Sequence, residues 1–526
     1  MGEKYKENSM ETKKHLFGTT EKSDFILNMS QEGARKLLGL FAIICMWVLS
    51  VCALPYYLSR DVVRNVEDAG GFLVTHYYTE NTVAITSSAV IAVGFMSILM
   101  FLIARMKNEA SLKGKKGLIT LLVLVVLSFV TLMLAYDKRA AFFGHSMRSD
   151  GFLEFLAYCG FIFMGLILTD EKWRRRMCDN LVAIGAFEAA FGIAQCISQK
   201  VPNFFNELFK GFPAVTTEEV NEHGYVMAKQ SCASGLLCSP FALAAVLTVT
   251  FAFAAAGVMY AKSNKRKLLY LAACALMAAA SVLTHIKAGL VGIPCVLAVL
   301  LVIEIIRLAR KNVLWVKKPL ENALICCLIT IAVTAVTFVG LKIGGGLKLY
   351  DEEVVFTETF VRLSSSFHNR AETDTDIYVD YRNVGKTAFR YELDEKMYFG
   401  IGQDTLDSFF GNIQGFRTDR LYNDYLDFIL QRGPIVFASY CVFLLYALWN
   451  GIKAVIAFYK KQQPFYGAAA LAGLIGYLVV MFWNTSGNTL TYYMYLCIGM
   501  LIMYGQKKEL SPKEKKQEAK AKKASK

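Results

Sequence analysis

Candidate chemistry in this 526-residue chain is confined to a few short polar stretches. In YRNVGKTAFRY, Arg382 and Lys386 stand four residues apart and would share one helical face, with Arg390 extending the row. Three cations in a row suit a diphosphate, because a guanidinium offers planar, bidentate donors to phosphate oxygens. Pairing with the nearby carboxylates Asp376, Asp380, Glu392 and Asp394 is the alternative. In FGIGQDTL, Gly400 and Gly402 with Asp404 suggest either a turn that brings backbone close to a ligand or a plain turn. DRLYNDYLDFILQRG gathers acid, base, phenol and amide in Asp419, Arg420, Tyr422, Asn423 and Asp424, just ahead of Gly433-Pro434. An interfacial Tyr/Arg anchor is the plainer reading of that run. Arg148 lies in FGHSMRSDG and Lys287 in LTHIKAG. A cation at such a place is either functional or a snorkelling anchor. His145 and His285 have no partner visible in the sequence and are read as non-catalytic.

The elements that must hold these residues are membrane helices. The chain is 55% apolar and 19% charged, against roughly 25% charged in an ordinary globular domain, and its mean hydropathy is +0.39. Its apolar runs reach the ~20 residues a helix needs to cross ~30 Å of hydrocarbon. Hydropathy windows predict an all-α polytopic membrane protein with twelve spans, near 37–57, 84–104, 117–135, 151–169, 179–197, 237–260, 268–284, 288–306, 322–345, 434–452, 465–483 and 488–505. The first run starts too late, and without a small-residue cleavage pattern, to be a removed signal peptide.

Orientation follows from Lys and Arg near the span ends. With the N-terminus inside, the short internal loops hold 21 basic residues and the short external segments 9. The chain then divides into a cytoplasmic tail (1–36), nine spans (37–345), a large external loop (346–433), three spans (434–505) and a basic cytoplasmic tail (506–526). The loop carries 10 basic and 16 acidic residues; a loop of this length is uncommon unless functional, and the chemistry is expected there. The net charge of +14 lies beside apolar spans and reads as topology, so nucleic acid is not an expected partner. The basic tail is either a solvated topology anchor or a contact for anionic inner-leaflet lipid. The thirteen cysteines form no CxxC pair and no Cys/His ligand spacing, which argues against a disulfide or zinc framework. The loop's carboxylates are dispersed, and neither a metal nor a cofactor is expected.

Taken in order, these stretches resemble the O-antigen ligase and Wzy-type polymerase family of bacterial envelope glycan enzymes. AFFGHSMRSDGFLEFLAY is similar to the family's external FG…R..G segment, and AFGIAQ (190–195) to the G..Q ending of the next span. ASGLLCSPFALA (233–244) is similar to SGL.GNPN..A, with Ser239 in place of Asn. LTHIKAGL (283–290) stands where the family has TgSRga, so that Lys287 takes the arginine's place. FGIGQDTL and RLYNDYLDFILQRG resemble FGtGpdtf and HN.yL.....e.G. The chief departure is Tyr422, where the ligases carry a histidine regarded as catalytic. The resemblance covers about residues 140–450.

The resemblance implies a membrane glycosyltransferase, either ligase or polymerase, in the bacterial cytoplasmic membrane. Its donor would be a glycan on a polyprenyl diphosphate at the external leaflet, and its acceptor a glycan or lipid-linked glycan. It implies that Arg148, Lys287, Arg382, Lys386 and Arg420 bind the diphosphate. Tyr422 and Asn423 would orient the acceptor, with Asp419 or Asp424 as base. The rivals are a transporter or flippase for lipid-linked glycan, which would need charged or broken helices near mid-membrane, and a non-catalytic member that only binds such a glycan.

Overall fold

The computed structural model describes residues 29–52, 80–110, 117–145, 148–198, 226–237, 239–261, 263–284, 286–309, 313–343, 397–406, 423–461 and 466–504, with short stretches at 65–67, 73–75, 215–220, 370–371, 379–380, 388–390 and 393–395. Among these residues, ten helices are long and apolar enough to cross a membrane, and two shorter apolar helices join them. In chain order they are α1 (Gln31–Val51), α2 (Glu80–Met106), α3 (Gly117–Leu134), the short polar α4 (Lys138–Phe143), α5 (Phe152–Ile167), α6 (Glu171–Ser198), α7 (Pro240–Tyr260), α8 (Asn264–Leu283), α9 (Lys287–Ala309), α10 (Val313–Ile343), α11 (Asp424–Lys461), α12 (Tyr466–Val480) and α13 (Thr491–Tyr504). Three small antiparallel hairpins lie in the connections: β1 (Asn65–Glu67) with β2 (Leu73–Thr75), β3 (Val215–Val220) with β4 (Val226–Cys232), and β5 (Arg370–Ala371) with β6 (Val379–Asp380). The protein is an all-α polytopic membrane protein with all twelve expected apolar helices present.

Two helices are wrapped by their neighbours. In α5 nearly every side chain is buried, and glycines on two faces let other backbones approach. A Cβ at Gly160 would stand 2.1 Å from the Gly94 carbonyl oxygen of α2, and one at Gly499 of α13 would stand 2.2 Å from the Ile162 carbonyl oxygen. Small residues at such crossings are what membrane helices use, since lipid tails give apolar side chains no reason to associate. The second centre is α7, buried from Ala242 to Met259. Gly292 of α9 and Gly476 of α12 both close on its Thr248. Stacked rings join α5 to α13, with Phe161–Tyr492 centroids 5.1 Å apart and Tyr158–Tyr495 5.9 Å.

Helix ends differ from the hydropathy windows where a helix starts in polar sequence. α6 begins at Glu171 rather than near 179; its first turns are charged but helical, and Arg176 lies over the Trp173 ring at 4.6 Å. α11 begins at Asp424 rather than near 434, so the tail of the expected loop is helical. Asn423 caps it, its Oδ1 accepting from Leu426 N at 3.2 Å. The run 424–432 is amphipathic, so mean hydropathy passes over it, and Gly433 then breaks the helix with φ +79° ahead of Pro434.

Candidate functional site

The break in α11 organises one end of the bundle. The first half of that helix ends at Arg432, and its last carbonyls need partners. Ile401 N donates to the Leu430 carbonyl at 3.2 Å, Gly402 N to that of Gln431 at 2.9 Å, and Thr131 Oγ1 of α3 to that of Arg432 at 3.3 Å. The FGIG segment is therefore the cap of the QRG segment. A Cβ at Gly400 would lie 2.5 Å from Gly433 N, and one at Gly433 would lie 2.3 Å from the Tyr398 carbonyl oxygen. Both glycines have positive φ.

The next residues of that loop reach a third segment. Asp404, also at positive φ (54°), donates its N–H to Gln431 Oε1 at 2.9 Å. Its carboxylate accepts from His145 N at 2.6 Å and from Asp150 N at 3.3 Å, and pairs with Arg148 Nε at 2.9 Å. The Arg148–Asp404 pair is buried, with side-chain exposures of 12% and 1%. Gly144 and His145 follow directly on α4, which is capped by Asp137 through Arg139 N and Ala140 N.

Two further buried carboxylates converge on the connection that leads into α13. Ser486 Oγ donates to Asp150 Oδ2 at 3.1 Å, and Ser486 N donates to Asp424 Oδ1 at 2.9 Å. Tyr158 OH lies 3.4 Å from Asp150 Oδ1. Asp150 and Asp424 are each 6% exposed. One serine thus holds two carboxylates from distant parts of the chain, and a positioned carboxylate is a group that can take a proton from a hydroxyl.

A second cluster sits alongside. The turn 233–237 is bonded to α6: Gln195 Oε1 accepts from Gly235 N at 2.9 Å and Ser234 N at 3.2 Å, Gln195 Nε2 donates to the Gly235 carbonyl, and Leu236 N donates to Glu188 Oε2 at 2.9 Å. Ala233 N donates to the Leu283 carbonyl at the end of α8. Ser239 caps α7 through Ala242 N. Asn484 Nδ2 reaches the Phe241 carbonyl at 2.9 Å, so the 484–488 connection touches both clusters.

Of the residues singled out in the sequence, Gly400, Gly402, Asn423, Asp424 and Arg148 come together at this end of the bundle. Asn423 acts there as a helix cap, and the Nε of Arg148 is engaged by Asp404. Lys287 opens α9, with its side chain outside the described residues. Tyr422, Asp419, Arg420, Arg382 and Lys386 also lie outside the described residues, and Arg390 is exposed. Sequence reasoning passed over Asp150, Gln431, Arg432 and Ser486. Arg432 carried a usable signal, a cation beside a Gly-Pro break at the start of a span; Ser486 carried none. Among the described residues no group of three or more His, Cys, Asp or Glu could hold a metal ion. Compared with models of known protein families and with curated proteins, the chain matches none.

Proposed function

We propose that this protein is a membrane glycosyltransferase of the O-antigen ligase or polymerase type. It takes a glycan from a polyprenyl diphosphate at the external face of the bacterial cytoplasmic membrane and passes it to a hydroxyl of a glycan or lipid-linked acceptor. One observation carries the reading: the segments that resemble the family are bonded to one another. FGHSMRSDG, FGIGQDTL and NDYLDFILQRG interlock through Asp404, Gln431 and the break at Gly433. AFGIAQ, ASGLL and the end of α8 do so through Gln195 and Ala233.

In this reading the acceptor oxygen attacks the anomeric carbon, the bond from that carbon to the diphosphate breaks, and the polyprenyl diphosphate leaves. The acceptor's proton passes to the Asp150–Asp424 pair, which Ser486 holds in one place. Arg148, fixed in direction by Asp404, stabilises charge on the leaving diphosphate, a role that the resemblance also gives to Lys287, Arg382, Lys386 and Arg420. Tyr422, next to Asn423 in the chain, orients the acceptor in this reading, as the resemblance implies.

The test is transfer in vitro from a verified native polyprenyl-diphosphate glycan, in nanodiscs, at matched protein amounts. Asp150→Asn and Asp424→Asn should each lower turnover by about 10²-fold or more, the scale of a positioned proton-transfer group. Activity unchanged in both would remove the carboxylates from the chemistry. One feature favours a second reading, transport of lipid-linked glycan: Glu188 is fully buried within α6 and accepts from Leu236 N of the 235–237 turn. Wild-type protein that moves the lipid-linked glycan across sealed vesicles, yet transfers nothing in nanodiscs, would decide for transport.

A further inference from the structure

Arg432 ends the first half of α11 and is 8% exposed. Its guanidinium carbon lies 4.4 Å from the centroid of the Phe155 ring and 4.5 Å from that of Phe428. Nη1 is fully buried and has no acceptor. No carboxylate among the described residues pairs with it. Asp404 is taken by Arg148, while Asp150 and Asp424 accept from Ser486. The half-helix that ends here points the negative end of its dipole at Arg432, but the carbonyls of Leu430, Gln431 and Arg432 are already engaged. A buried cation without an anion is costly, and ring faces recover only part of that cost.

We propose that Arg432 receives a phosphoryl anion carried on a lipid, which supplies the missing counter-charge. Both phenyl rings lie against the guanidinium carbon, while Nη1 is left without an acceptor; a guanidinium edge donates two parallel N–H groups to two oxygens of one phosphate. The apolar surface beside the seat points to a lipid as the bearer. Ile435, just past the break, is 41% exposed, and Phe129 of α3, which contacts Phe152 at 5.8 Å, is 46% exposed. That the bearer is the polyprenyl diphosphate of the donor rests on the proposed function; that Arg432 holds a lipid phosphate does not.

The experiment measures binding and needs no turnover. The full-length protein in nanodiscs of neutral phosphatidylcholine is titrated separately with polyprenyl diphosphate, phosphatidylglycerol and inorganic diphosphate, for wild type, Arg432→Lys and Arg432→Met. Wild type should bind polyprenyl diphosphate, Arg432→Met at least ~10-fold more weakly, the loss expected for a hydrogen bond to a charged group. Arg432→Lys, which keeps charge but not the fork, should fall between them. Without ligand, Arg432→Met should melt no lower than wild type, because it removes an uncompensated charge. Arg432-dependent binding of phosphatidylglycerol in place of polyprenyl diphosphate would keep the lipid phosphate site and remove the donor as its occupant. Binding of inorganic diphosphate alone would overturn the lipid assignment. Equal affinities in wild type and both variants, or no binding of any of the three by wild type, would overturn the proposal.

Discussion

Asp404 shows how much one side chain can hold. Its backbone N–H goes to Gln431, one carboxylate oxygen accepts from the 145 and 150 backbone, and the other faces Arg148. Its left-handed backbone is one that Asn tolerates nearly as well as Asp, so Asp404→Asn isolates the charge. That variant removes the carboxylate charge that faces Arg148, and breaking a buried pair from one side costs about 3–5 kcal/mol. Unfolding of the purified protein in detergent with added SDS should show a loss of that order. Arg148→Met should cost a similar amount, and the double variant much less than the sum of the two, because the pair is one unit. Additive losses would mean that the two groups act independently.

At the scale of elements, the break in α11 is a joint between two segments of backbone. Gly433→Ala should be strongly destabilising: φ is +79°, and the new Cβ would meet the Tyr398 carbonyl oxygen at 2.3 Å. Strain of this kind costs of order 1–3 kcal/mol before the collision is counted. Gly400→Ala should behave alike. Gly340→Ala in α10, where nothing lies within 4 Å of a new Cβ, should leave the melting temperature unchanged or slightly higher. A thermal melt of the three variants in one detergent checks the contrast. The same joint explains what could be read from the sequence. The apolar helices were legible because a bilayer demands long apolar runs, and that demand has a length. The 424–432 half-helix was not, because the side chains it buries include Asp424, Asp427, Gln431 and Arg432, which keep its mean hydropathy low. Gly400 and Gly402 were legible as a turn, but not the fact that their loop caps another helix. The Asp150–Ser486–Asp424 junction was illegible, since its members are 336 and 62 residues apart in sequence and nothing local marks them.

For the whole molecule, one helix ties the site to an orientation. α2 runs between two ends that differ in charge. Near its start, Asn488 Nδ2 donates to Thr86 Oγ1 at 2.9 Å, and Asn488 belongs to the connection that holds Asp150 and Asp424. Just past its end, Glu109 pairs with Arg35 at 2.7 Å, beside Arg105 and Lys107. The short loops expected on the side of the second end hold 21 basic residues, against 9 in those expected on the other side, and the described 397–406 part of the acidic segment lies at the first end. Lys and Arg are retained on the cytoplasmic side during insertion, and it is they, more than net charge, that fix topology. The Asp404 end should therefore face outward. In a background without accessible native cysteines, Glu395→Cys, at an exposed position, should react with a membrane-impermeant thiol reagent in intact cells. Lys107→Cys, at the opposite end, should react only after lysis. The reverse pattern would put the carboxylates and Arg432 on the cytoplasmic side, out of reach of an external acceptor. Glycan transfer at the external face would then be excluded, while the lipid phosphate seat at Arg432, which depends on burial rather than on side, would still stand to be measured.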